Sequence, residues 1–92
     1  MRSIMAEGKC CYVCGSTSCL ERHHVLFGTS HRKLSDKYGL VVWLCAYHHR
    51  DNKEGVHGNR KLDLRLKRDA QTAFEEKHSH KLWMEKFGRD YL

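Results

Sequence analysis

Three short clusters hold most of the chemistry-bearing residues of this chain: Cys11-x2-Cys14, His23-His24, and Cys45-x2-His48 with His49 directly after. The outer clusters supply Cys11, Cys14, Cys45 and His48, a Cys3His set. Zinc accepts thiolate and imidazole together, takes four tetrahedral ligands, and suits two rigid close-spaced pairs brought together by folding. The bland alternative, buried thiols and a core histidine, does not account for two independent pairs with the same spacing. Cys10 with Cys14 is another pairing, and Cys19 could replace one member. Cys11 with Cys14 is preferred because Gly15 follows and permits the tight turn that aims backbone N–H groups at the sulfurs. Cys10 and Cys19 are then packed or free thiols.

The inner doublet and His49 are left over, with the spacing of a second metal site. Adjacent residues on an extended strand face opposite sides. One histidine of the doublet can therefore touch a metal while the other faces a water or a phosphate. A neutral imidazole can take a proton from water near neutral pH, because its unperturbed pKa is about 6.5. A single histidine is more often exposed or satisfied than a ligand; a doublet between two zinc half-sites favours function. His57 is balanced between ligand and turn residue. His31, His78 and His80 read as solvated.

The elements that must position these groups follow from residue patterning. Residues 1–9 read as a frayed lead-in. The stretch 20–27 reads as a strand carrying the doublet, with Val25 and Phe27 on one face and His24 and Leu26 on the other. Residues 28–39 are polar and basic and read as a loop, with a helical turn from Ser35 as an option. Leu40-Val-Val-Trp-Leu44 is branched and aromatic and reads as the partner strand. A short helix should run from Cys45 to about Lys53, then a turn marked by Gly55 and Gly58. A helix capped by Asn59 is expected over 60–77, with Leu62, Leu66, Ala70, Ala73 and Phe74 on its inner stripe. Another, capped by Ser79, should end at Gly88, with Leu82, Trp83 and Phe87 packing inward as core rather than as a stacking platform.

Ninety-two residues suit one domain near the lower limit of a self-sufficient core, where a metal staple is a common remedy. The start lacks an apolar run, so export is not expected, and thiolate–metal bonding is the better reading of five cysteines than disulfides. No stretch reaches membrane-spanning length, and a cytoplasmic location is expected. Seventeen Lys and Arg against eleven Asp and Glu give a net charge of +6, which fits a phosphate-rich partner. Arg22, Arg32, Lys33, Lys37, Arg50, Lys53 and Arg60 flank the proposed centre and could neutralise phosphates, though any one of them is equally an ordinary surface charge. No element reads as a major-groove recognition helix.

Glu21-Arg-His23-His24-Val25, the basic segment after it, and Gly39-Leu40-Val41-Val42-Trp43-Leu44-Cys45-Ala46-Tyr47-His48-His49 together resemble the HNH (ββα-metal, His-Me finger) nucleases. The likeness is to their zinc-stapled branch, over residues 11–57, with 59–92 as a helical extension of one 1–92 domain. His48 stands where that branch usually has cysteine. Tyr38-Gly39-Leu40, Gly55-Val56-His57 and Phe87-Gly88-Arg89-Asp90-Tyr91 resemble short phage-encoded members.

The resemblance implies an α+β, treble-clef-like core with structural Zn2+, and DNA cleavage with Mg2+, Mn2+ or another divalent cation. It implies that His23 and His49 bind that cation, with His57 as a third ligand or phosphate contact, and that His24 is the general base. DNA would be the substrate, in phage recombination or packaging alongside phage or host proteins. The alternatives are a zinc-stapled nucleic-acid-binding module without catalysis and a structural module docking on another phage protein. The family's middle Asn, which orients the base, aligns with Gly39 or Leu40. A backbone carbonyl or Asn52 would have to replace it.

Overall fold

The computed structural model describes residues 3–92. The element order is β1 (Leu20–His24), α1 (Thr29–Tyr38), β2 (Val41–Cys45), α2 (Ala46–Arg50), α3 (Arg60–Lys77) and α4 (His80–Phe87). The fold class is α+β, with one two-stranded antiparallel sheet and four helices among the described residues. Among them, no helix is long and apolar enough to cross a membrane.

The sheet register sets Glu21 opposite Leu44, Arg22 opposite Trp43, His23 opposite Val42 and His24 opposite Val41. Directly paired residues share a face, and successive residues alternate. Glu21 and His23 therefore lie on one face with Leu44 and Val42, while Arg22 and His24 lie on the other with Trp43 and Val41. Dividing the histidine doublet in this way is the sheet's main contribution to the site.

The two long helices form where their stripes and caps indicated. α3 buries Leu62, Leu66, Ala70 and Phe74, and α4 buries Trp83 and Phe87 against the same core as Val42 and Leu44. The Asn59 side chain accepts from the Leu62 N–H at 3.2 Å, and Ser79 accepts from Leu82 at 3.1 Å. Each satisfies an N–H that the first helical turn leaves free. Gly88 ends α4 in the left-handed conformation at φ 73°.

Four local expectations need correction. The segment 28–39 is a helix rather than a loop. Its inward residues include Ser35, which is fully buried, and a hydroxyl in a core position conceals amphipathic patterning. β1 stops at His24, so the alternation expected over 25–27 fails: Val25 and Leu26 are both buried and Phe27 is exposed. The backbone of Leu26 bonds to the Ser35 hydroxyl instead of a strand, its N–H donating at 3.2 Å and its carbonyl accepting at 2.6 Å.

α2 ends at Arg50, and the turn after it is packed on glycine. A Cβ at Gly55 would lie 2.6 Å from the Asp51 backbone, and one at Gly58 would lie 2.1 Å from the Asn52 carbonyl. The lead-in is also anchored: the Ile4 N–H donates to the Gly39 carbonyl at 2.9 Å, and Ile4 and Met5 rest on the core. Residues 6–9 of that lead-in are exposed, and Met1 and Arg2 lie outside the described residues.

Ser35 is thus the pin between the end of β1 and α1. Ser35→Ala leaves both Leu26 groups buried and unpaired, and should lower unfolding free energy by about 1–3 kcal/mol in urea denaturation. An unchanged midpoint would contradict that role.

Candidate functional site

Cys11, Cys14, Cys45 and His48 converge, with their ligand atoms all within 4.8 Å of one another. Cys14 Sγ is 3.8 Å from Cys45 Sγ, and His48 Nδ1 is 3.3 Å from Cys45 Sγ and 3.8 Å from Cys11 Sγ. A tetrahedron with Zn–S bonds of about 2.3 Å has sulfur–sulfur edges of about 3.8 Å. The cluster is thus of a size and donor set that could hold zinc. Burial pushes the Cys11 thiol up, but hydrogen bonding from the backbone of Cys45, Cys14 and Val13 outweighs it and brings the group down to about 6. Cys11 therefore favours the thiolate that a metal requires, whereas at Cys14 the Ser16 backbone bond is outweighed by burial and the adjacent Cys11 and Cys45 sulfurs, which push that thiol up. Cys10 and Cys19 are exposed and outside the cluster.

Two further bonds fix the knuckle. The Tyr12 N–H donates to the Trp43 carbonyl at 2.8 Å, and the Tyr12 hydroxyl donates to Asp69 of α3 at 2.9 Å.

On the His23 face of the sheet a second cluster forms from His23, His49 and His57, again within 4.8 Å. Their ring centroids make a near-equilateral triangle, with sides of 5.3, 5.3 and 5.1 Å. His23 is 3% exposed, and its Nε2 is buried with no hydrogen-bond partner. Burial pushes its pKa from 6.5 down to about 3, with the neighbouring His49 and His57 contributing. A neutral imidazole with an unsatisfied nitrogen is what a metal ligand must be.

Glu21, on the same face as His23, accepts from His49 Nδ1 at 2.7 Å and from Arg50 at 2.9 Å. These partners hold its carboxyl below the usual carboxylate range, with the His49 bond foremost. A carboxylate on one ring nitrogen fixes the tautomer and leaves Nε2 of His49 for a metal, the usual arrangement behind a ligating histidine. The donor set therefore fits a divalent cation.

His24 lies on the opposite face and is not part of that triangle. Its Nε2 donates to Asp36 Oδ1 at 3.0 Å, and Arg22 donates to the same oxygen at 2.7 Å. A carboxylate can only accept here, so the proton sits on Nε2 and the lone pair on Nδ1. The partner sought for His24 is accordingly Asp36, one turn before Gly39 at the end of α1, rather than a backbone carbonyl or Asn52.

The basic residues divide. Arg22 and Arg50 are ion-paired to Asp36 and Glu21. Arg32 and Lys33 are exposed on α1 and line an open hollow of about 530 Å³ with Gly28, Thr29 and Asp36. Lys53 is exposed in the turn after α2. Of the remaining histidines, His78 and His80 are exposed as expected, His78 beside Phe74 and His80 bonding Glu75, while His31 is half-buried on Phe87.

Glu21 and Asp36 are the residues that sequence reasoning missed. Glu21 was within reach, since it stands two positions before His23 and must share its face. Asp36 was not, because its segment read as a loop. In comparisons with family models, curated proteins and solved structures, nothing matched this chain.

The depressed His23 value has a consequence for stability. Between about 6.5 and about 3 the unfolded chain binds a proton that the folded chain refuses. Stability is therefore unaffected above pH 6.5 and falls as pH drops, by roughly 1.4 kcal/mol per pH unit at most. His23→Leu should flatten that slope in urea denaturation with one zinc per chain; parallel slopes for the two proteins would refute the assignment.

Proposed function

We propose that the chain is a metal-dependent DNA endonuclease of HNH type, with a ββα-metal core stapled by zinc. One observation carries the reading: the doublet is split, with His23 inside a three-histidine cluster and His24 outside it, held by a carboxylate. A purely structural zinc protein needs neither the second cluster nor the His24–Asp36 pair. The order of knuckle, β1, β2 and α2, with ligands at each junction, supports the family resemblance. So does the position of Asp36, which supplies by a side chain what the family obtains from its Asn.

In this reading His24 Nδ1 takes the proton of the attacking water, and Asp36 stabilises the imidazolium that forms while holding the ring in place. Arg22 keeps Asp36 oriented. His23, His49 and His57 would hold a divalent cation, with Glu21 fixing His49; three imidazoles suit a borderline ion such as Ni2+ better than Mg2+. When bound, that cation supplies charge relief at a nonbridging phosphate oxygen and at the leaving 3′ oxygen. Arg32 and Lys33 border the hollow beside Asp36 and would receive flanking phosphates, making binding salt-dependent. Phage DNA recombination or packaging is the setting that the resemblance suggests.

Supercoiled plasmid incubated with Mg2+, Mn2+ or Ni2+ tests the reading. Nicking should depend on the cation. His24→Ala should lower it by at least about a hundredfold, the scale of a general base. Asp36→Asn should lower it by about ten- to a hundredfold. No cleavage under any cation would leave a zinc-stapled binding module, and equal cleavage by wild type and His24→Ala would remove the base.

A further inference from the structure

Lys67 and Asp63 form an ion pair one turn apart on α3, at 2.8 Å, with side chains only 12% and 10% exposed. Burying such a pair is weak support for stability, since apolar residues of the same volume usually do as well. Its position gives it another use. Lys67 Nζ lies 4.2 Å from the Phe27 ring centroid, and that ring is 5.7 Å from His57 and 6.2 Å from His23. The ammonium therefore stands one aromatic ring away from the histidine triangle. Phe27, one of the few large apolar residues left exposed, is the floor between them.

Among the described residues, the buried side-chain polar atoms without a partner are His23 Nε2 and Asp63 Oδ1. The first belongs to the triangle, while the second is an acceptor that calls for a donor and not for an anion. An ammonium has three donors, and Asp63 Oδ2 takes one of Lys67's. The pair thus fixes Lys67 and leaves donors over. Lys67 sets a positive charge near three imidazoles that could hold a cation, and Asp63 offsets it from one side only. An anion lying between ammonium and cation relieves their repulsion and satisfies the remaining donors.

We infer that Lys67 is one arm of a phosphate-binding site whose other arm is the cation position defined by His23, His49 and His57. The ligand is a phosphate group of a phosphodiester, an identification that rests on the endonuclease reading; Lys67 would draw its nonbridging oxygen onto the triangle. Asp63 is a positioning residue that keeps the ammonium over Phe27. Lysine suits this place because it acts as a compact point charge on a single oxygen.

The test reads binding before activity. Inorganic phosphate is titrated calorimetrically into zinc-loaded protein, with and without Ni2+, for wild type, Lys67→Met and Lys67→Arg. Lys67→Met should weaken phosphate binding to the Ni2+-loaded protein by at least about tenfold, the scale of one charge-assisted hydrogen bond. Its Ni2+ affinity should stay equal or tighten, because a neighbouring positive charge is gone. Lys67→Arg should retain most of the phosphate affinity.

Equal phosphate affinity in Lys67→Met, or no phosphate binding by the wild type, would overturn the assignment. So would joint loss of Ni2+ affinity and thermal stability, which marks a merely structural lysine. The two readings separate cleanly. Lys67-dependent phosphate binding without plasmid nicking retires the nuclease and keeps the site. Nicking with a phosphate affinity indifferent to Lys67 does the reverse.

Discussion

α2 is five residues long, has no side-chain cap, and begins directly after the last residue of β2, yet the whole site hangs on its orientation. Successive helical residues point about 100° apart. His48 can therefore face the cysteine knuckle while His49 faces the sheet. Bringing His48 to Cys11, Cys14 and Cys45 fixes the rotation of this short helix, and that rotation delivers His49 to His23 and Glu21. A helix this short has almost no stability of its own. The Cys3His cluster is the constraint from which the second cluster follows.

The sheet supplies the other half of the arrangement. Two strands of five residues each make a marginal sheet unless something packs on both sides. Here Val42 and Leu44 join the core with α3 and α4, while Arg22, Val41 and Trp43 line a hollow with residues that precede the knuckle. Each face also carries one charged partnership: Glu21 with His49 and Arg50, and Asp36 with His24 and Arg22. The two histidines of the doublet are thereby given different partners by a single peptide step, and so different chemistry. His23 is shielded from water and neutral, while His24 keeps a partly exposed ring, 17% accessible, tied to a carboxylate.

What was legible in the sequence was whatever depends on spacing. The x2 pairs, the Asn59 and Ser79 caps, and the apolar stripes of α3 and α4 are all local patterns, and the structure bears them out. The strand pair was legible as well, to within a residue or a few at its ends. α1 was not, because the fully buried position between its inward Leu34 and Tyr38 is held by Ser35, whose hydroxyl bonds Leu26 and thins the apolar stripe. With α1 hidden, Asp36 was hidden too, and His24 seemed to lack a support that it has. The Asp63–Lys67 pair was invisible for a different reason: a charged i,i+4 pair on a helix reads as surface, and only the tertiary position of Phe27 encloses it.

The central claim is that one chain carries two chemically distinct metal positions, joined at His48 and His49. Titration of metal-free protein with Co2+ tests it directly, because thiolate ligation gives a charge-transfer band that imidazole ligation lacks. The account predicts saturation at two equivalents, the first with the thiolate band and the second without it. It also predicts that His23→Ala combined with His49→Ala removes only the second. Saturation at one equivalent, or loss of the thiolate band in that double variant, would contradict it.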